Sequence, residues 1–176
     1  ATHSVLRAMP ASRGLQLRWA GARFQHGVCR LRVRPAAVRS CVGTRQTIRA
    51  FRVAYTAIKA QQASAHVFFS VDMNWNDPNA DQKTQYSAKN IIDKINAEIN
   101  RNGNIDWQLA YHPYPYPLTE PEFWDDHTTG LIAQDESSKI INFENLHVLT
   151  DYLKASNFRN RAGEVRHIIL SEQGFS

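Results

Sequence analysis

The residues best suited to chemistry lie in two short runs. The first is Trp107 to Leu118, WQLAYHPYPYPL, where His112, Tyr114 and Tyr116 alternate with Pro113, Pro115 and Pro117. The second is Ser171-Glu172-Gln173-Gly174, which follows the strand-like run Val165 to Leu170. A carboxylate at a rigid strand end can serve as nucleophile or proton carrier, and a neighbouring Tyr or His can hold it in place and keep it ionised. Tyr111, Tyr114 and His112 are the candidates for that partner. Taken alone, Glu172 reads better as a polar residue at a strand terminus, and His112 serves equally well as a histidine tied to loop backbone. Asp125, Asp126 and His127 are the only cluster that resembles a metal site. Adjacent carboxylates do not converge easily on one ion, so a solvated loop is expected there, with no metal and no cofactor.

The elements that must position these residues follow from periodicity. Trp107 to Tyr111 reads as a buried strand, and three prolines force sheet pairing to stop at about His112. Val165 to Leu170 and Val67 to Val71 read as two further strands. The latter ends in Asp72-Met73-Asn74-Trp75. Phe51 to Gln62 has helical spacing. Ala88, Ile91, Ile92, Ile95 and Ile99 share one face of a helix over Thr84 to Asn100, which Asn102-Gly103 stops. After a long segment from His112 to Ile141, Asn142 is the expected N-cap of a helix striped by Leu146, Leu149, Tyr152 and Leu153. Gly163 breaks the chain before the last strand. Helices alternating with strands imply a parallel sheet with right-handed crossovers, and ligands bind at the C-terminal strand ends of such sheets. Three strands with open edges look like the middle and late part of a larger α/β barrel.

Charge divides the chain. Residues 1–50 hold ten Arg, no Lys and no carboxylate, and the first acidic residue is Asp72. Residues 51–176 hold 11 basic and 16 acidic residues, so the net charge of +5 comes entirely from the first segment. The basic pI is therefore no nucleic-acid signature of the folded part. Leu15, Leu17, Val28, Leu31 and Val33 could form short strands in the first segment. An organellar transit peptide, a basic arm, and an extension foreign to the fold all suit it, and the abrupt change of composition near residue 50 favours the last. The expected division is thus a poorly structured basic segment, 1–50, before a domain at 51–176. Cys29 and Cys41 read as free thiols rather than an enforced disulfide. No apolar run is long enough to span a membrane.

The runs VFFSVDMNWN, DWQLAYHPYPYPLTEPEFWDD and HIILSEQGF resemble an uncharacterised bacterial domain family placed with the (β/α)8 glycoside hydrolases. The resemblance covers about Tyr55 to Phe175. It implies a partial TIM-barrel-like fold, about strands 5 to 7 with their helices. By position, Glu172 matches the nucleophile that ends strand 7, and His112 the residue that ends strand 6. Asp72, Asn74 and Trp75 match the end of strand 5. The Asn-Glu pair that supplies the acid/base at strand 4 has no counterpart in this chain.

What the resemblance implies is a retaining glycosidase acting on a polysaccharide, in an extracellular or cell-surface setting. Glu172 and His112 would be catalytic. Asp72, Asn74, Trp75, Tyr111, Tyr114 and Trp124 would bind the sugar, with Trp75, Trp124, Tyr114 and Tyr116 offering rings for stacking. Two carboxyl groups about 5 Å apart are needed, and with one matched the chain is expected to be inactive alone. The alternative is a noncatalytic carbohydrate-binding or pseudoenzyme module. A nucleic-acid partner ranks last because it rests on residues 1–50 only.

Overall fold

The computed structural model describes residues 28–31, 41–77 and 87–174. The elements in chain order are β1 (Val28–Leu31), α1 (Cys41–Gln61), β2 (His66–Asp72), α2 (Ala88–Arg101), β3 (Trp107–His112), α3 (Leu146–Leu153) and β4 (Ile168–Leu170). Two 3-10 helices, Phe123–Thr129 and Ser156–Phe158, stand in the loops around α3. The strands form one parallel sheet in the order β1-β2-β3-β4. The protein is therefore mixed α/β with a parallel sheet, as the alternation of elements implies. The described sheet is open and does not close into a barrel.

Alternation along β2 and β3 sets up the core. Val67, Phe69 and Val71 point to the helix side with Trp107, Leu109 and Tyr111, where they pack with Phe51, Ile92, Ile95 and Ile99. The other face of these strands carries Ser70, Gln108 and His112, since side chains two apart share a face. Every residue of β3 is buried, as expected of a central strand in a parallel sheet covered on both sides.

Helix α2 follows its isoleucine stripe. Ser87 caps it by accepting the Asn90 N–H at 3.3 Å, and Gly103 at φ +92° turns the chain away after Asn102. Thr84 to Tyr86, which the periodicity assigns to this helix, lie outside the described residues.

Three boundaries differ from expectation. Helix α1 begins at Cys41 rather than Phe51, so it crosses the change of composition at residue 50, and Ile48 joins the same core as Phe51. The expected short strands at Leu15 and Leu17 lie outside the described residues, whereas Val28–Leu31 does pair with β2. Asn142 is not the N-cap of α3. Asn145 takes that position, and it bonds no helix N–H with its side chain. Its Nδ2 instead donates to Ala133 O, Ser138 Oγ and Ile140 O at 2.8, 2.9 and 3.1 Å, while its Oδ1 accepts the Asn142 N–H at 3.0 Å. The amide is spent on fastening the preceding loop.

The last strand starts at Ile168 rather than Val165. The reason is Arg166, which is 2% exposed. Its guanidinium lies 4.2 Å from the Trp107 ring centre and donates to Phe158 O, Trp107 O and Asn104 Oδ1 at 2.7, 2.9 and 2.6 Å. The chain before Ile168 is shaped around that insertion.

Candidate functional site

Strands β2 and β3 end level with one another, Asp72 opposite His112, and β4 ends beside them with Leu170 opposite Tyr111. The Ser171 N–H donates to Tyr111 O at 3.0 Å and carries the strand spacing one residue further, which delivers Glu172 to the same edge. The prolines after His112 then turn Tyr114 back toward it.

A connected cluster results. The Tyr114 hydroxyl donates to Glu172 Oε1 at 2.8 Å. His112 Nε2 lies 3.8 Å from Glu172 Oε2 and is hydrogen-bonded to Ser70 Oγ at 2.8 Å. The His112 and Tyr114 rings meet edge to face with centres 6.3 Å apart. Each oxygen of the carboxylate thus faces a different residue of β3 or the loop that leaves it, and His112 is fixed from below by β2. Ser70 is a member of the cluster that the sequence reading does not single out. Its signal is nonetheless present: in VFFSVD it is, with Asp72, one of two polar residues on the face opposite Val67, Phe69 and Val71.

The remaining candidates divide. Asp72 is exposed and its Oδ1 accepts the Met73 N–H at 2.7 Å. Asn74 bridges to Ile140 through its backbone, and its carbonyl accepts the Ala88 N–H at 2.6 Å. Trp75 and Tyr111 are fully buried. Trp75 packs edge-on against Tyr152 with ring centres 5.0 Å apart. The Tyr111 hydroxyl is shared between Met73 O at 3.2 Å and Ile141 O at 3.1 Å, and burial pushes its pKa well above the ordinary tyrosine value. These two rings belong to the hydrophobic core and offer no exposed surface for stacking. Trp124 is 57% exposed on the 3-10 helix, with its ring against Phe123.

The loop at Asp125, Asp126 and His127 is solvent-exposed at Asp125 and His127, as expected, with Asp126 the exception. Asp126 is buried, and its Oδ2 accepts the Tyr116 N–H at 2.9 Å and a short bond from Asn142 Nδ2. Burial raises its pKa, against the lowering effect of the Tyr116 bond. His127 Nδ1 pairs with Glu144 Oε1 at 2.9 Å, and its backbone N–H donates to Glu144 Oε2. The Tyr116–Pro117 peptide in the same loop is cis. Among the described residues no group of three or more His, Cys, Asp or Glu is arranged to hold a metal ion. No helix among them is long and apolar enough to cross a membrane.

A protein-family model described as a family of unknown function matches residues 43–176. The match starts within α1 and takes in every strand from β2 onward. It agrees with the expectation of an uncharacterised domain family and attaches no activity to it. No curated protein and no solved structure matches the chain.

Proposed function

The chain belongs to the family of unknown function DUF5722, and from that premise we propose, on its own residues, that the C-terminal edge of the sheet is a carbohydrate site with Glu172 as the nucleophile of a retaining, polysaccharide-acting glycoside hydrolase. The open sheet is then an arc of a (β/α)8 barrel, with β2, β3 and β4 in the places of strands 5, 6 and 7. What carries the reading is the bonding of Glu172: a tyrosine hydroxyl on Oε1 at 2.8 Å and a histidine 3.8 Å from Oε2, at the strand edge where parallel α/β proteins bind ligands.

In such a mechanism the Glu172 oxygen attacks the anomeric carbon while the departing sugar oxygen takes a proton from a second carboxyl group, and water then releases the glycosyl-enzyme. Tyr114 aims the nucleophile, and His112, anchored on Ser70, meets a sugar hydroxyl. Trp124 offers the exposed ring for stacking. Asp72 and Asn74 line the neighbouring strand end.

No described carboxyl group is assigned the role of proton donor, and the described neighbours of Glu172 given above are the Tyr114 phenol, hydrogen-bonded to it, and the His112 imidazole at 3.8 Å. The second reading is a carbohydrate-binding module that uses the same cluster without the chemistry. Calorimetric titration with neutral oligosaccharides, alongside hydrolysis assays on aryl glycosides, tests both. Binding of one sugar class, weakened about tenfold by His112→Ala, supports the site. Turnover abolished by Glu172→Gln selects the hydrolase, and binding without turnover selects the module. A folded chain that binds no oligosaccharide, or binds it equally well as His112→Ala, overturns both.

A further inference from the structure

We infer that the cleft between α1 and α2 is a binding site for a small molecule carrying two or more oxyanion groups. The cleft is half open to solvent, spans about 570 Å³ and lies apart from the strand-end cluster, lined by residues of α1 and of the last turn of α2. Arg45, Arg49 and Arg52 fall at i, i+4 and i+7 of α1, which sets them on one stripe of the helix. Arg101 and Asn102 close the cleft from the end of α2.

Charge in the cleft is unbalanced. Glu98 is its only carboxylate among the described residues, and it is divided between two arginines: a short bond from Arg101 Nη1 and a looser approach of Arg45 Nε at 3.8 Å. Arg49 has no carboxylate partner among the described residues. Arg52 is held in place by Nη2, which donates to Ile99 O and Gly103 O, both at 2.6 Å. Ile99 O belongs to the last turn of α2, so the Arg52 guanidinium offsets part of the negative end of that helix. Four guanidinium groups therefore face one carboxylate around a volume in the range of small-molecule sites.

Guanidinium forks match carboxylate and phosphate oxygens in pairs, and the excess of three positive charges suits a multivalent anion over a monovalent one. Clustered phosphates and clustered sugar carboxylates share this chemistry. The inference is independent of the carbohydrate reading of the strand edge.

The test is calorimetric titration of the whole chain with inorganic tripolyphosphate and, separately, with trigalacturonate. The same titrations are run on Arg45→Gln/Arg49→Gln, with circular dichroism to verify its fold. Both arginines are exposed, so the core is untouched. The expected result is binding of at least one probe, weakened about tenfold or more in the double variant. The probe that binds identifies phosphate or carboxylate as the source. The eight arginines before residue 41 are common to both proteins, so only the difference between them counts. Absence of binding by either probe, or binding that is unchanged in the double variant, overturns the inference. Should the double variant unfold, Arg101→Gln on the exposed end of α2 replaces it and is read in the same way.

Discussion

Arg166 carries a buried positive charge whose hydrogen bonds go to carbonyls and an amide rather than to a carboxylate. Burial lowers its pKa to about 10, which still leaves it charged at neutral pH. Its role is to satisfy Phe158 O and Trp107 O while its flat face covers the Trp107 ring. Arg166→Met keeps the length and strips the donors, leaving two buried carbonyls bare at about 1–3 kcal/mol each. We expect a loss of about 2–6 kcal/mol in urea unfolding. A variant as stable as the parent would mean that water reaches those carbonyls and the charge contributes little. Arg166→Lys should recover only part of the loss, because an ammonium cannot span the same acceptors with a planar fork.

Asp126 gives a pH signature at the same scale. Its pKa is raised, first by burial and further by Glu144 and Glu120, against the Tyr116 and Asn142 bonds. A carboxyl with a raised folded pKa binds more protons folded than unfolded. Stability from this group is therefore greatest in acid and falls as pH climbs from about 4 through the raised value. Asp126→Asn removes that fall. Unfolding free energies of the two proteins, compared from acid to neutral pH, should show the parent losing stability relative to the variant as pH rises. Equal slopes would place the Asp126 carboxyl in contact with water.

At the scale of the elements, legibility tracks how much of an element's form is local. The isoleucine stripe and the Gly103 stop define α2 from sequence because both are properties of neighbouring residues. The end of β3 is equally readable, since proline cannot continue a ladder. The start of β4 and the cap of α3 are not, because each depends on a side chain acting across the fold: Arg166 on Trp107 O, and Asn145 on Ala133 O and Ile140 O. The site shows the same division. His112 and Glu172 follow from strand ends, whereas the burial of Trp75 and Tyr111 is set by α3 and the loop before it. Gly103 tests the local part. A Cβ there would meet no atom within 4 Å, so the cost of Gly103→Ala comes from φ +92° alone. About 1 kcal/mol is expected in thermal or urea unfolding, and less for Asn, which tolerates the left-handed region better. No loss with Ala would mean that α2 ends in a different conformation.

For the whole molecule, composition and packing draw different boundaries. Arginine without carboxylates runs to residue 50, yet α1 begins at Cys41 and the family match at residue 43. Charge composition records what the solvated surface tolerates, while the helix is held by its buried face, and Ile48 and Phe51 lie on that face on either side of the change. A chain of residues 41–176 and a chain of residues 51–176 both lack β1, so comparing them isolates the first half of α1. The longer chain should be the more stable by about 2 kcal/mol or more, the contribution expected of burying one isoleucine side chain. Arg52, which fastens α1 to the end of α2, remains in both, but loses the helical turns that precede it. Equal unfolding midpoints would put the structural boundary at residue 50, where the charge changes, and would remove Arg45 and Arg49 from any folded cleft. A lower midpoint for 51–176 would make α1 part of the folding unit along its full length, with its arginine stripe held rigidly beside α2.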